Sequence, residues 1–315
     1  MGIPRRVIVT GAAGFIGRAT CERLRADGAE VTGVDVSASP EALAAAESGG
    51  WTLIEATTTD AEAIDRAVEG HDGVVHTAAI VSDFGSMEDF IEVNVRGTRN
   101  VLDAACRHSL ESVVHVSSVA SWGYDFRIPP SDSSWTRRQG VPYVDTKAAS
   151  DDLALRRGAA VVRPGDVYGP RSSPWSIRPL EAMKAGRFRL PGKGEGLMTP
   201  VYGDDLVDLV VRALASPQAS AGRAFTGFAG EPVTARGFFD NYARMLGNEQ
   251  TPTVPKPLAV AGAMLMESVA KLTGGSPEIS RNAIVFVERS AGYRTTLASE
   301  VLGWEPQVSL DEGMR

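Results

Sequence analysis

The sequence predicts an α/β fold in which a doubly wound parallel sheet carries a smaller, mostly helical C-terminal lobe. Through the first half of the chain, short β-branched runs alternate with helical segments, which is the pattern of repeated strand–helix–strand units. Prolines and glycines then become dense between residues 164 and 200, where the alternation stops. The length of 315 residues suits two lobes, since a domain usually takes ~100–200 residues.

Six strands are expected before this change in composition. Each is a short apolar run that ends near a glycine or a polar residue. In chain order they are 7–9, 30–35, 51–55, 74–76, 113–116 and 159–163, and a further run at 223–228 is expected to return to the same sheet. Right-handed crossovers between such strands place a ligand crevice at their carboxyl ends.

Helices are expected in the connections and throughout the second lobe. Gly28 and Gly70 mark helix ends, because glycine readily terminates a helix. The expected helices are 14–27, a helix from near 60 to 70, 87–108, 142–157, 203–215, 234–246, 258–272 and 278–287. The predicted division is a sheet domain over 1–168, to which 203–228 returns, and a second lobe over 169–315.

Composition excludes several classes of protein. With 43% hydrophobic and 23% charged residues, the chain has a globular rather than a disordered composition. A net charge of −7 and the lack of basic runs longer than two residues argue against a nucleic-acid partner. The longest nearly apolar run, 258–266, is far below the ~18 residues of a membrane-spanning helix. Cys21 and Cys106 offer neither a disulfide framework nor a metal-ligand spacing, so a cytoplasmic protein without a metal is expected.

The first strand runs directly into a glycine-rich turn that opens the first helix. Gly11, Gly14 and Gly17 have the spacing that lets the backbone turn sharply and approach a pyrophosphate. The helix N-terminus then offers unpaired N–H groups to the phosphates. Asp35 ends the second strand, where a carboxylate accepts hydrogen bonds from ribose hydroxyls and repels a 2′-phosphate. Because no arginine follows it, the pattern predicts a Rossmann domain that binds NAD rather than NADP.

A tyrosine and a lysine lie four residues apart in the helix expected at 142–157. On a helix, Tyr143 and Lys147 share a face about one turn apart. An ammonium beside a phenol lowers the pKa of tyrosine from its reference value of ~10, which makes Tyr143 usable as a general acid or base. Ser117 and Ser118 end the preceding strand at the predicted crevice, where a hydroxyl can polarise a substrate oxygen.

The glycine spacing, followed by serine, tyrosine and lysine in this order, resembles the extended short-chain dehydrogenase/reductase family, the NAD-dependent epimerase/dehydratase superfamily. The likeness extends over nearly the whole chain, including the closing segment at 303–306. The resemblance implies that Ser118 orients the substrate oxygen and that Tyr143 exchanges the proton. It implies that Lys147 holds the nicotinamide ribose and tunes Tyr143, and that Asn94 steadies the backbone of the active site.

The choice of Ser118 rests on its position five residues before Gly123, as in the family pattern, and Ser117 stays as the alternative. The resemblance also implies which residues contact the cofactor. They come from the glycine turn, the ends of the second and sixth strands, the loop after the fourth strand, and the helix of Tyr143. These residues are Gly11, Ala13, Gly14, Phe15, Ile16, Gly17, Asp35, Val36, Thr77, Ala78, Ala79, Tyr143, Lys147, Pro164, Gly165 and Val167.

Three departures from the family pattern bear on the reaction. Thr57 stands where an aspartate usually contacts adenine, so that contact is not expected. Met198 stands where sugar-nucleotide epimerases carry an arginine for the diphosphate, and a thioether cannot pair with that group. Val119 and Ala120 replace the acidic pair of the 4,6-dehydratases, so elimination lacks its acid and base.

Another branch is similar at more positions. The segments 76–85, 94–98 and 200–204 resemble those of 3β-hydroxysteroid dehydrogenases. This resemblance implies NAD-linked interconversion of a secondary alcohol and a ketone on an apolar, polycyclic small molecule. An NDP-sugar 4-epimerase and a non-catalytic NAD-binding regulator are the alternatives. The sequence leaves open which substrate is used and in which direction.

Two further expectations concern surfaces. The apolar segment 258–266 could line a substrate pocket, with methionines as an adaptable wall, or form packed core, a dimer face or a membrane contact. A homodimer is implied by the resemblance alone, through the helices that carry Asn94 and Tyr143.

Overall fold

The fold is built on a buried sheet that lies between two layers of helices. The computed structural model describes residues 2–82, 84–124, 126, 128–277 and 279–315. The strands are β1 (Arg6–Thr10), β2 (Glu30–Asp35), β3 (Thr52–Glu55), β4 (Gly73–His76), β5 (Ser112–Val116), β6 (Ala160–Pro164), β7 (Asp166–Tyr168), β8 (Leu190–Pro191), β9 (Leu197–Met198), β10 (Pro200–Tyr202), β11 (Ala224–Gly227), β12 (Val233–Thr234) and β13 (Thr253–Val254).

The helices alternate with these strands. They are α1 (Phe15–Ala26), α2 (Pro40–Gly49), α3 (Ala61–Val68), α4 (Met87–Phe90), α5 (Thr98–Arg107), α6 (Pro142–Arg156), α7 (Arg178–Lys184), α8 (Gly203–Ala215), α9 (Pro217–Ser220), α10 (Ala235–Met245), α11 (Lys256–Thr273), α12 (Arg281–Val287), α13 (Leu297–Leu302) and α14 (Leu310–Gly313). Two π-helical segments (Ile91–Gly97 and Ser173–Ile177) and a 3₁₀ turn (Val119–Trp122) complete the set.

Seven strands form one sheet in the order β11-β6-β5-β4-β1-β2-β3. All neighbouring pairs are parallel, and Thr10 lies opposite His76 where β1 meets β4. The chain moves outward from β1 to β3 and then crosses back to β4. In an open parallel sheet, such a reversal of strand order leaves a crevice at the carboxyl ends of the two strands.

The sheet is buried on both faces, which explains the continuous apolar runs of its strands. Val7 and Val9 pack with α1 and α8 on one face, whereas Ile8 packs with α3 and α5 on the other. The second lobe has its own apolar cluster around Phe238 and Phe239, and three pairs of short strands (β7–β10, β8–β13 and β9–β12) brace it.

The predicted fold class is confirmed, and the expected strand at 223–228 is β11, the edge strand beside β6. The C-terminal part of the chain also returns to this domain, because Ala298 and Trp304 join the core cluster of the sheet. That return was not predicted. The helix expected at 87–108 is interrupted by the π-helical segment Ile91–Gly97.

Two other helices differ from expectation. Helix α2 was not predicted, although Ser39 caps its N-terminus and Pro40 occupies its first turn. The helix expected at 278–287 begins at Arg281. Glu278 lies outside the described residues, as does Asp83 in the segment 76–85.

The apolar segment 258–266 lies in α11, and it does not form packed core. Only Ala263 and Ala270 of this helix are buried, whereas Leu258, Leu265 and Leu272 are 63%, 67% and 87% exposed. Among the helices of the described residues, none has the length and apolar character that crossing a bilayer requires.

Candidate active site

The glycine turn after β1 is the most tightly constrained part of the candidate site. Gly11 has a φ of +74°, and a Cβ added there would collide with Thr77 and the Ala78 backbone. A Cβ on Gly17 would collide with the carbonyl of Gly11, so α1 approaches the turn as only glycine permits. The amide of Gly14 donates to the carbonyl of Gly11 at 3.1 Å and closes the turn.

Asp35 lies where β2 ends, next to this turn. Its Oδ2 accepts a hydrogen bond from the amide of Ala13 at 3.0 Å, and its Oδ1 accepts from the amide of Ser37 at 3.2 Å. The carboxylate is therefore held against the glycine turn and only half-buried. Each oxygen keeps a further lone pair for a ligand hydroxyl. Val36, beside it, is 67% exposed.

The loop after β4 forms the opposite wall of the crevice. The hydroxyl of Thr77 donates to the carbonyl of Thr10 at 2.7 Å, which joins this loop to the start of the glycine turn. Ala78 and Ala79 follow along the same half-buried edge. Phe15 and Ile16 open α1 on the other side and pack against the core of the sheet.

Helix α6 carries Tyr143 and Lys147 into this region. Pro142 occupies its first turn, where the missing N–H costs nothing. Tyr143 is half-buried and packs against a cluster formed by Ala120, Tyr124 and Val144. Lys147 is 3% exposed, and its Nζ donates to the carbonyl of Val116 at 2.8 Å.

Burial determines the charge state of this lysine. Desolvation lowers the pKa of Lys147 to about 8, because the charged form loses water, and Asp151 opposes that shift. Asp151 is itself held by two hydrogen bonds from Arg163, at 2.8 and 2.9 Å. With a pKa of about 8, Lys147 is still largely charged at pH 7, and a charged ammonium lowers the pKa of a neighbouring phenol.

Asn94 lies in the π-helical segment and is 2% exposed. Its Oδ1 accepts from the amide of Ile80 at 2.7 Å, and its Nδ2 donates to the carbonyl of Ile80 and to the hydroxyl of Thr146. Asn94 therefore ties the loop after β4 to α6. The wide turn of the π-helix, a form often found at functional sites, is what sets the position of Asn94 on this helix.

The two serines after β5 have different surroundings. Ser117 is 5% exposed, and its hydroxyl has no hydrogen-bond partner among the described residues. Ser118 is half-buried, and its Oγ accepts from the amide of Ala120 at 3.1 Å, which caps the 3₁₀ turn. The hydroxyl proton of Ser118 is left for another acceptor, so the accessible serine is Ser118.

The end of β6 continues into β7, which pairs with β10. Pro164 is buried, the amide of Gly165 donates to Gly227 at 2.8 Å, and Val167 lies in β7. Between them, Asp166 accepts a hydrogen bond of 2.7 Å from Arg289. Both side chains of this ion pair are at most 1% exposed.

Several residues of this region were missed from the sequence. Arg289 gave no local signal, because its partner lies more than a hundred residues away in the chain. Aromatic rings also surround the site: Tyr124 and Trp175 pack on Phe286, and Trp122 packs on Tyr293. His76 and His115 are both buried next to Lys147, although only the loop after His76 was singled out.

A glycine turn before a helix, an acidic residue at the end of the second strand, and a Tyr-x₃-Lys helix beside the crevice define a dinucleotide-dependent α/β enzyme. The model of the NAD dependent epimerase/dehydratase family matches residues 7–226. The chain belongs to this family, and NAD is its cofactor. The residues fit NAD, because Asp35 suits a free ribose and would repel a 2′-phosphate.

Three curated relatives show the range of this family. A 2-alkyl-3-oxoalkanoate reductase of Stenotrophomonas maltophilia is 28% identical over 98% of this chain and 97% of its own length. A UDP-glucose 4-epimerase of Mycolicibacterium smegmatis is 32% identical over 98% of this chain and 96% of its own. A 3beta-hydroxysteroid-dehydrogenase/decarboxylase of Arabidopsis thaliana is 26% identical over 85% of this chain and 51% of its own.

Solved structures share the fold. A dTDP-glucose 4,6-dehydratase from Streptomyces venezuelae (a double mutant with NAD and DAU bound) superposes with a TM-score of 0.79. It is 23% identical, and the match covers 98% of this chain and 94% of that one. The resemblance to the extended short-chain dehydrogenase/reductase family is thereby confirmed, and the chain is an enzyme.

Proposed function

We propose that this enzyme interconverts a secondary alcohol and a ketone on an apolar, polycyclic substrate of the 3β-hydroxysteroid kind. The single observation that carries this proposal is the aromatic cluster packed against Tyr143. Tyr124 and Phe286 lie 4.7 Å apart in an edge-to-face arrangement, and Trp175 packs on Phe286 at 5.6 Å. Aromatic rings gathered beside the candidate catalytic tyrosine favour a flat apolar ligand.

Large apolar side chains continue on the surface beside this cluster. Trp122 and Phe126 line a hollow together with Ile128 and Trp135, which are 81% and 89% exposed. Exposed apolar groups of this size, gathered in one place, are typical of a binding surface. They support an apolar substrate that enters from this side.

Two residues that bear on a diphosphate site are buried or paired inside the protein. Met198 is fully buried in the aromatic cluster of the second lobe. The Nη atoms of Arg289 donate to Asp166 and Tyr293, and its guanidinium lies 3.8 Å from the ring centroid of Phe286. Its charge is therefore compensated inside the protein.

The proposed mechanism assigns one task to each residue of the site. In the oxidative direction, Tyr143 takes the proton from the substrate hydroxyl, and Ser118 donates a hydrogen bond to the same oxygen. The ammonium of Lys147 favours the phenolate form of Tyr143. Bound NAD supplies the hydride acceptor, whereas the protein supplies placement and proton transfer. The cofactor is proposed to lie along the glycine turn, Asp35 and the Thr77 loop.

A substrate screen tests the proposal. Steroid, sterol and aromatic secondary alcohols are incubated with the enzyme and NAD, and formation of reduced nicotinamide is followed by absorbance. Sugar nucleotides form the counter-set. Steady reduction of NAD with a polycyclic alcohol is expected; turnover of sugar nucleotides alone would contradict the proposed substrate class.

A second candidate, an NDP-sugar 4-epimerase, is favoured by one observation. The relative named UDP-glucose 4-epimerase is 32% identical over almost the whole chain. An epimerase returns its hydride to the substrate and therefore accumulates no reduced cofactor. Epimer formation from UDP-glucose without a lasting change in nicotinamide absorbance would establish this alternative.

The proposal also concerns the oligomeric state of the protein and its location in the cell. We propose a cytoplasmic homodimer whose interface involves the helices that carry Asn94 and Tyr143. Ile91, which is 39% exposed on the first of these helices, offers an apolar contact for such an interface. Sedimentation equilibrium of the full chain measures the mass; a monomer at all concentrations would contradict the dimer.

A further inference from the structure

A buried arginine contacts two groups of aromatic rings beside the site and has no task in the proposed mechanism. Arg289 follows helix α12, and its side chain is 1% exposed. Its Cζ atom lies 3.8 Å from the ring centroid of Phe286 and 5.9 Å from that of Tyr293. Both distances are within the usual range of a cation–π contact.

Each of these two rings is the centre of a group. In the first ring group, Phe286 packs with Tyr124 at 4.7 Å and with Trp175 at 5.6 Å between centroids. In the second ring group, Tyr293 packs at 5.2, 5.5 and 6.3 Å on the rings of Trp122, Phe126 and Phe228. Arg289 therefore contacts the central ring of each group.

The hydrogen bonds of Arg289 fix the direction of its guanidinium. One Nη atom donates to Oδ2 of Asp166 at 2.7 Å, and the other donates to the hydroxyl of Tyr293 at 2.9 Å. Oδ2 of Asp166 also accepts from the amide of Thr199 at 2.7 Å. The backbone carbonyl of Arg289 accepts from the amide of Leu197 in β9, again at 2.7 Å. Both the backbone and the guanidinium of this residue are thus anchored.

The guanidinium divides its donors between two partners. Arg163 shows the alternative, since its Nε and Nη2 both donate to the carboxylate of Asp151. In Arg289, Nε has no hydrogen-bond partner among the described residues, so its pair with Asp166 is not bidentate. The divided donors join Asp166 to Tyr293 through one rigid planar group. A lysine has no such group.

The first ring group borders the candidate catalytic tyrosine. Tyr124 belongs to the buried cluster against which both Tyr143 and Phe286 pack. Two members of the second ring group, Trp122 and Phe126, line the hollow that continues the apolar surface. The rings that Arg289 contacts are therefore linked by packing to both parts of the surface that supports an apolar substrate.

We propose that Arg289 is a positioning residue that sets substrate preference: by holding the rings of Phe286 and Tyr293, it shapes the aromatic surface that accepts a flat apolar substrate. It acts through these rings and not on the reacting atoms, so it governs KM more than kcat. The inference rests on the proposed function, which makes the rings a substrate surface. The motion of the Phe286 ring, measured without substrate or NAD, tests it separately from the substrate screen.

Arg289→Lys is the central variant, because lysine keeps a positive charge opposite Asp166 but lacks the planar fork. We expect the KM of a polycyclic alcohol to rise about tenfold, with kcat within about threefold of the wild type, since ordered aromatic contacts are lost. For a small open-chain secondary alcohol, kcat/KM should stay within about twofold. Arg281→Lys, which alters a surface ion pair with Glu267 on the same helix, is the matched control and should change neither substrate.

The measurement without ligand follows the Phe286 ring by ¹³C NMR of labelled phenylalanine in the full-length protein. The chain has ten phenylalanines, and the signal that disappears in Phe286→Leu identifies this ring. Ring flips should be about tenfold faster in Arg289→Lys than in the wild type, a factor that the loss of a desolvated cation–π contact accounts for. Arg281→Lys should leave the flip rate unchanged.

An unchanged flip rate in Arg289→Lys, an unchanged KM, or equal losses with both alcohols would overturn the proposal, since Arg289 would then support the fold alone. If Arg289→Lys does not fold, Tyr293→Phe decides, because it keeps the ring and removes one acceptor of the guanidinium. Faster flips of Phe286 with a few-fold rise in the KM of the polycyclic alcohol support the proposal, and no change in either overturns it. A wild-type enzyme that reduces no NAD with polycyclic alcohols contradicts the proposed function instead, and the ring flips then judge Arg289.

Discussion

The ammonium of Lys147 donates a hydrogen bond of 2.8 Å to the carbonyl oxygen of Val116, the last residue of β5. This contact fixes α6 against the strand that leads directly into Ser117 and Ser118. The helix of Tyr143 and the serine loop are therefore positioned relative to one another by the same lysine that is proposed to tune the phenol. The position of α6 and the proposed proton transfer therefore both depend on the buried side chain of Lys147.

Removing the phenol hydroxyl tests the proton transfer. Tyr143→Phe should lower kcat by about a thousandfold, because general acid–base catalysis contributes roughly that much. NAD affinity should change little, since the ring and the glycine turn remain. Steady-state kinetics and a fluorescence titration with NAD measure the two quantities. Tyr202→Phe, which removes a hydroxyl from β10, serves as the control, and wild-type turnover in Tyr143→Phe would refute the mechanism.

Removing the hydroxyl of Ser118 and removing that of Ser117 should have different effects on kcat. Ser118→Ala should lower kcat by about a hundredfold, as the loss of one polarising donor does in other active sites. Ser117→Ala should stay within a few-fold of the wild type, because Ser117 is 5% exposed and cannot meet a substrate oxygen without rearrangement. Kinetics of both variants at matched thermal stability decide the question. A larger loss in Ser117→Ala would transfer the role to that residue.

Features of the fold that arise between residues close together in the sequence could be predicted from it. The sheet was predictable, because a parallel strand buried on both faces is a continuous apolar run, as in Val7 to Val9. The glycine turn and the Tyr143–Lys147 pair are local patterns as well. Helix α2 was missed because its alanines blur the periodicity, although the Ser39 cap was a usable signal.

The parts that could not be predicted depend on distant pairings. The Asp166–Arg289 ion pair joins two lobes, and neither residue has a distinguishing neighbour in sequence. The π-helical segment around Asn94 adds a residue to a turn without changing the apolar pattern. The buried contact between His115 and Ser150 joins β5 to α6, and only folding brings these two residues together.

The choice of cofactor is tested at Asp35. Asp35→Asn should weaken NAD binding by about tenfold, since hydrogen bonds to a charged acceptor become bonds to a neutral one. Binding of NADP should improve relative to NAD, because the repulsion of its 2′-phosphate is removed. Fluorescence titrations with both cofactors measure the ratio. Glu62→Gln, which neutralises an acid on α3, should leave it unchanged; an unchanged ratio in Asp35→Asn would exclude Asp35 from the ribose site.

The burial of Lys147 should destabilise the folded protein, even though the proposed function requires this lysine. Since the pKa of Lys147 is about 8 in the folded protein and ~10.5 when unfolded, the unfolded state binds more protons between these values, and stability rises with pH across that window. Lys147→Met removes the penalty. It should raise the free energy of unfolding at pH 7 by about 2 kcal/mol. The pKa difference corresponds to roughly 3 kcal/mol of destabilisation, and the lost hydrogen bond to Val116 offsets about 1 kcal/mol of the gain.

Urea denaturation of wild type and Lys147→Met at pH 7 and at about pH 10 measures this difference. The advantage of the variant should shrink at the higher pH, where lysine is largely neutral in the folded protein and about a quarter neutral in the unfolded chain. Lys147→Met should be inactive at both pH values. Lys271→Met, on the exposed surface of α11, provides the control, with little change expected at either pH. A variant less stable than wild type at pH 7 would mean that the ammonium stabilises the fold, through Val116 and Asp151, more than its burial costs.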